Sequence, residues 1–96
     1  MPKGYWVGRI TVSDLDTYKR YVAANAEAFA RYNGRFLARG GKSQCMEGEC
    51  RDRNVIVEFD SFEQAVACWN SPEYQRAKAI RMPAAQGDFV ILEGLE

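Results

Sequence analysis

One antiparallel β-sheet with helices packed on a single face, an α+β sandwich, is the architecture that these 96 residues predict. Three observations carry the prediction. Short runs alternate apolar and polar residues, stretches between them place apolar residues at helical spacing, and a capping or turn signal marks most of the switches. The length leaves room for one domain, residues 1–96, with one modest core.

Tyr5 to Val12 sets Trp6, Gly8, Ile10 and Val12 against Tyr5, Val7, Arg9 and Thr11, the pattern of a strand with two unlike faces. Ser13-Asp14 offers a helix cap. Leu15, Tyr18, Val22, Asn25, Phe29 and Tyr32 follow at helical spacing and predict a helix over 15–32, closed by the left-handed stop Asn33-Gly34. Arg35 to Arg39 reads as a second strand, after which Gly40-Gly41 permits a bend or bulge. Lys42 to Glu47 is expected to continue as a short strand that turns at Glu47-Gly48-Glu49. Asn54 to Phe59 is the third main strand. Ser61-Phe62-Glu63-Gln64 is a capping box opening a helix through Trp69. Asn70-Ser71-Pro72-Glu73 breaks that helix and restarts it, Ser71 as cap and Pro72 in the first turn, with the second piece running to about Arg81. Asp88 to Glu93 is the last strand. The order β-α-β-(β)-β-α-β fits a ferredoxin-like sandwich, and right-handed crossovers put both helical layers on one side of the sheet.

Composition excludes several functions. Thirteen basic residues balance thirteen acidic ones, so no long-range field recruits nucleic acid or an anionic membrane. The N-terminal MPKGYWVGRITV lacks the apolar core of a signal peptide, which predicts a soluble cytoplasmic protein. Three cysteines in that setting read as reduced thiols, although Cys45 and Cys50 can face each other across a hairpin. The chain has no histidine, which removes histidine-based nucleophile and acid/base systems and the usual zinc sites. No glycine-rich phosphate loop occurs, and no cofactor or metal is expected.

Two helices cover one face of a sheet. The other face still carries alternate members of Val55-Ile56-Val57-Glu58-Phe59, of Phe89-Val90-Ile91-Leu92 and of the first strand. Burying a Val or Ile side chain gains roughly 1.5–3 kcal/mol, so a handful per protomer predicts a two-fold homodimer with sheets face to face. The alternative is a curled sheet with the loop at 40–53 folded over the patch.

The segments RFLARGG (35–41), EFDSFEQA (58–65), Trp69, SPEY (71–74), Arg81 and FVILEG (89–94) together resemble domain-of-unknown-function family 1330, within the dimeric α/β-barrel superfamily of cofactor-independent monooxygenases and muconolactone-type isomerases. The resemblance runs from Tyr5 to Gly94. It implies a ferredoxin-like protomer, a sheet-to-sheet dimer forming an α/β barrel, and a space for small organic ligands between helices and sheet. It implies no particular reaction.

Polar residues in apolar runs are the site candidates. Glu58 needs a cationic partner in its apolar strand, and Arg9 or Arg39 is expected to supply it, within the protomer or across the dimer, as a structural pair or a ligand contact. Asn25 interrupts the apolar stripe of the first helix and either seeks a partner or lies at the stripe's solvent edge. Tyr18, Tyr21, Trp69 and Tyr74 are candidates to line a pocket, with the helix break after Trp69 as its mouth, or else to fill a solid core. Arg39 with Gly40-Gly41 suits a carboxylate. The candidate ligand-binding set is Arg9, Asn25, Arg39, Glu58, Trp69 and Tyr74. The ligand expected is a small carboxylate or phenol, held by a cofactor-independent oxidase or isomerase or by a non-catalytic binding or structural module. In an enzyme, Glu58, a tyrosine or a cysteine would carry acid/base work and Arg39 would stabilise negative charge.

Overall fold

The computed structural model describes residues 2–96. Its elements in chain order are β1 (Gly4–Val12), α1 (Leu15–Arg31), β2 (Arg35–Arg39), β3 (Arg53–Phe59), α2 (Phe62–Asn70), α3 (Pro72–Arg81) and β4 (Ala85–Glu93). The strands form one antiparallel sheet in the order β2-β3-β1-β4, the ferredoxin-like arrangement. The helices lie on one face of it.

Local signals act where the sequence places them. Asp14, rather than Ser13, caps α1, its carboxylate accepting from the Thr17 amide at 3.2 Å. Asn33 takes the left-handed conformation at φ 58°, and the Gly34 amide closes the helix on the Phe29 carbonyl. Ser61 accepts from the Gln64 amide to open α2. Ser71 ends α2 and caps α3, donating to the Cys68 carbonyl at 2.7 Å and accepting from the Tyr74 amide at 3.1 Å.

The core is aromatic and centres on Trp6. Its ring lies 4.8–5.3 Å from those of Phe29, Phe59, Trp69 and Tyr74, and its indole N–H donates to the Ala65 carbonyl at 2.8 Å. Gly4, in the same strand, lets α2 sit directly on β1: a Cβ there would press into the Ser61 carbonyl.

Two expectations need correction and one is narrowed. Lys42 to Glu47 forms no strand: Gly40, at φ 70°, turns the chain away after Arg39, and this polar segment finds no strand to pair with. Of the bend or bulge expected at Gly40-Gly41, the bend is what forms, at Gly40, and the β-bulge falls at Leu37, between the pairs Phe36–Val57 and Ala38–Ile56. Cys45 and Cys50 are not free thiols but a disulfide, because the turn at Gly48 brings their Cα atoms to 5.8 Å. In addition, β4 begins at Ala85 rather than Asp88. Ala85, Gln86 and Gly87 carry no strand-like pattern, yet their backbone pairs with Val12, Thr11 and Ile10.

The register fixes the second face of the sheet. Val7 lies between Ile56 and Val90, and Tyr5 between Glu58 and Leu92. Val90 and Leu92 are 50% and 42% exposed. The loop between β2 and β3 crosses only one end of this face, where Arg9 donates to the Glu49 carbonyl and Arg51 bonds Thr11 and Asp88. No helix among the described residues is long and apolar enough to cross a membrane.

Candidate functional site

A cavity separates α1 from the sheet. Tyr18, Tyr21 and Asn25 reach it from α1, Phe36 and Arg39 from β2, Arg53 and Val55 from β3, and Phe89 from β4. Its inner wall is β1, where Gly8 presents no side chain and the Phe89 ring occupies the space a Cβ would need, 2.7 Å away. The cavity is small: about 30 Å³ of it admits the centre of a water molecule. That inner space holds two or three waters at about 10–15 Å³ each, so a ring-sized guest has to displace side chains.

Asn25 is the informative residue. It is 5% exposed, so it does not meet solvent at the edge of the stripe, and its buried Oδ1 has no hydrogen-bond partner. An orphaned buried amide oxygen costs about 1–3 kcal/mol. Helix α1 places it one turn beyond Tyr21, with the cavity in front of it.

Arg39 and Arg53 flank the same space because they end β2 and begin β3, on opposite sides of the β2–β3 loop. The Arg53 Nε donates to the Tyr18 hydroxyl at 3.1 Å, and Arg39 stacks on the Phe36 ring at 4.1 Å. Burial pushes the Tyr18 phenol above its ordinary value although the Arg53 charge opposes it, so Tyr18 stays protonated near neutral pH. Among the described residues no carboxylate lines the cavity.

The remaining candidates lie elsewhere. Tyr74 is fully buried in the aromatic core, its hydroxyl 3.0 Å from that of Tyr21, and burial pushes its ionisation far up. Trp69 stacks on Trp6, Tyr74 and Phe89. The helix break after Trp69 is not a mouth, because Ser71 is 3% exposed and bonded to both helices. Arg9 and Glu58 point to the far face of the sheet. Within the protomer Glu58 pairs with neither Arg9 nor Arg39: the Arg35 Nε binds it at 3.1 Å and the Tyr5 hydroxyl at 3.3 Å. Arg35 stands opposite Glu58 in the β2–β3 register, whereas Arg39 stands opposite Val55 on the other face. Glu58 is therefore no acid/base group for the cavity. The free thiol Cys68 is none either, as burial pushes it up to about 12.

Sequence reasoning missed Arg53, Phe36 and Phe89. The signal was present in the alternation of β3: Arg53 shares a face with Val55, Val57 and Phe59, which makes it a cation on the helix-covered side.

The molecule is thus a small ferredoxin-like sandwich with an arginine-flanked, aromatic cavity under its first helix. Over residues 3–95 the chain matches the family described as Domain of unknown function (DUF1330), and it belongs to that family. Among solved structures it is similar to a protein of unknown function from Rhodopseudomonas palustris, with 19% identity, TM-score 0.79, and 99% of this chain and 84% of that chain covered. A dimeric ferredoxin-like protein of unknown function from Thermobifida fusca YX has 16% identity and TM-score 0.65 over 96% and 91% of the two chains. SnoaB, a cofactor-independent oxygenase from Streptomyces nogalater, has 13% identity and TM-score 0.65 over 100% and 96%. No curated protein matches the chain.

Proposed function

We propose that the chain works as a face-to-face homodimer, each protomer binding a small carboxylate or phenolic molecule between α1 and the sheet. The orphaned Oδ1 of Asn25, buried against an aromatic cavity, carries this reading. A solid core would satisfy that amide or replace it with an apolar residue; a ligand supplies the missing partner. The dimer draws support from the exposed Val90 and Leu92 beside Val7 and Ile56, and from the dimeric state of the Thermobifida protein. Cytoplasmic residence is part of the proposal. There the exposed Cys45–Cys50 bridge stays open to exchange with cellular thiols.

A second reading, cofactor-independent oxidation, is favoured by the fold shared with SnoaB. The cavity offers no carboxylate, histidine or low-pKa thiol as base. A substrate would have to enter already ionised, as a phenolate or enolate, with Arg39 and Arg53 stabilising its charge. Oxygen uptake on incubation with such a substrate separates enzyme from binder.

A thermal-shift screen against small carboxylic and phenolic compounds tests the binding proposal. A compound at 100 times its Kd stabilises the protein by about 2.7 kcal/mol, a readily measured shift. The proposal fails if no compound raises the Tm and none moves the Asn25 side-chain amide resonances.

A further inference from the structure

Resting on that binding site, we infer that its ligand is a planar aromatic carboxylate bearing a hydroxyl or amino group on the ring. The anionic end meets Arg39 and Arg53, and the ring donor meets Asn25. Arg31, Arg35, Arg51 and Arg76 each bind a carboxylate. Arg9, Arg20, Arg39, Arg53 and Arg81 have none within salt-bridge range among the described residues; of these, Arg39, Arg53 and Arg81 stack on rings that line the cavity. Arg39 lies over Phe36, Arg53 over Tyr18 at 5.2 Å, and Arg81 over Phe89 at 4.4 Å and Tyr21 at 5.4 Å.

Arg81 sharpens the point. It is 3% exposed and its Nε is buried without a partner. A guanidinium withdrawn from water with no counter-charge is costly, and a nearby anion relieves that cost. Arg81 does not line the cavity and acts on it through the Tyr21 and Phe89 rings. Arg39 and Arg53 can touch the guest: Arg39 is exposed, and the one Arg53 nitrogen already engaged is Nε. Their planar forks match a carboxylate.

The rest of the wall sets the body of the ligand. Trp6, Phe29, Phe36 and Phe89 offer ring faces and edges, which suit a flat ring better than a flexible chain. Within that apolar wall the orphan Asn25 Oδ1 is a hydrogen-bond acceptor, so the ligand must bring a donor to it. A simple benzoate leaves Asn25 unpaired, and a simple phenol leaves the arginines without a counter-ion.

Calorimetric titration of the full-length protein with 4-hydroxybenzoate, benzoate and phenol, followed by NMR of the Asn25 side chain, tests this. The expected result is 4-hydroxybenzoate binding at least tenfold tighter than either of the others. Arg53→Met should erase its advantage over phenol, and Asn25→Leu its advantage over benzoate. Arg39→Met, an exposed position that leaves folding intact, should weaken both carboxylates and not phenol. Phenol binding as tightly as 4-hydroxybenzoate, with the Asn25 resonances moving, overturns the ligand class but leaves the cavity a binding site. If none of the three probes binds or moves those resonances, both the class and the site are overturned.

Discussion

Replacing Asn25 by leucine should make the protein more stable and less functional at once. The Asn25 Oδ1 is buried without a partner, a situation that costs about 1–3 kcal/mol, and the substitution removes it. Leucine adds a few tenths of a kcal/mol as the better helix former in the middle of α1. Leucine keeps the branching and the number of side-chain heavy atoms of asparagine, which limits overpacking. A net gain of about 1–3 kcal/mol follows, and for a domain of this size each kcal/mol raises the Tm by about 4–8 °C. Thermal unfolding followed by circular dichroism measures it, at matched protomer concentration because a dimer's Tm depends on concentration. The same variant should lose its Tm response to ligands. A drop in Tm is the opposite outcome: it would mean that the amide is satisfied in the folded protein and holds the structure together.

Three further outcomes are expected. Val90→Asp places a charge on the exposed sheet face, in its edge strand β4, and sedimentation at micromolar concentration should find monomers, whereas the parent chain is expected to sediment as a dimer. Gly4→Ala drives a methyl group into the Ser61 backbone, so α2 must shift and stability should fall by about 1–3 kcal/mol, read from the denaturation midpoint. The bond from Asn33 and then that from Arg35 hold the Asp60 carboxyl below its ordinary 3.8. Its contribution is therefore complete above that value and lost as the pH falls through the lower folded one, so Asp60→Asn should lower stability at neutral pH, leave strongly acid pH little changed and so flatten the acid limb of a stability–pH curve.

Most of the architecture was legible because its signals are local. Asn33-Gly34, the capping serines 61 and 71, and the alternation in β1 act within a few residues, and the structure places them where the pattern does. The start of β4 was not legible, since Ala85 to Gly87 are held by pairing with β1 and carry no pattern of their own. The disulfide depends on a turn whose closure cannot be read from spacing. The site was half legible. Asn25 and Arg39 stood out as polar groups in apolar settings, and both line the cavity. Glu58 stood out for the same reason and belongs to the other face, because its partner was decided by the strand register with Arg35. Trp69 and Tyr74 looked like pocket walls because a large ring in a core and a large ring in a wall have the same sequence signature.

Ser71 serves two helices with one hydroxyl, which welds α2 and α3 into a single bent strut. A guest of the proposed site would then enter at the opposite flank, where Arg39 and Arg53 stand at the two ends of the loop that joins their strands. That doorway opens on the helical side of the sheet, while a second protomer would stack on the reverse side. Each half of such a pair then fills and empties without obstructing its twin, and saturation should follow a simple hyperbola.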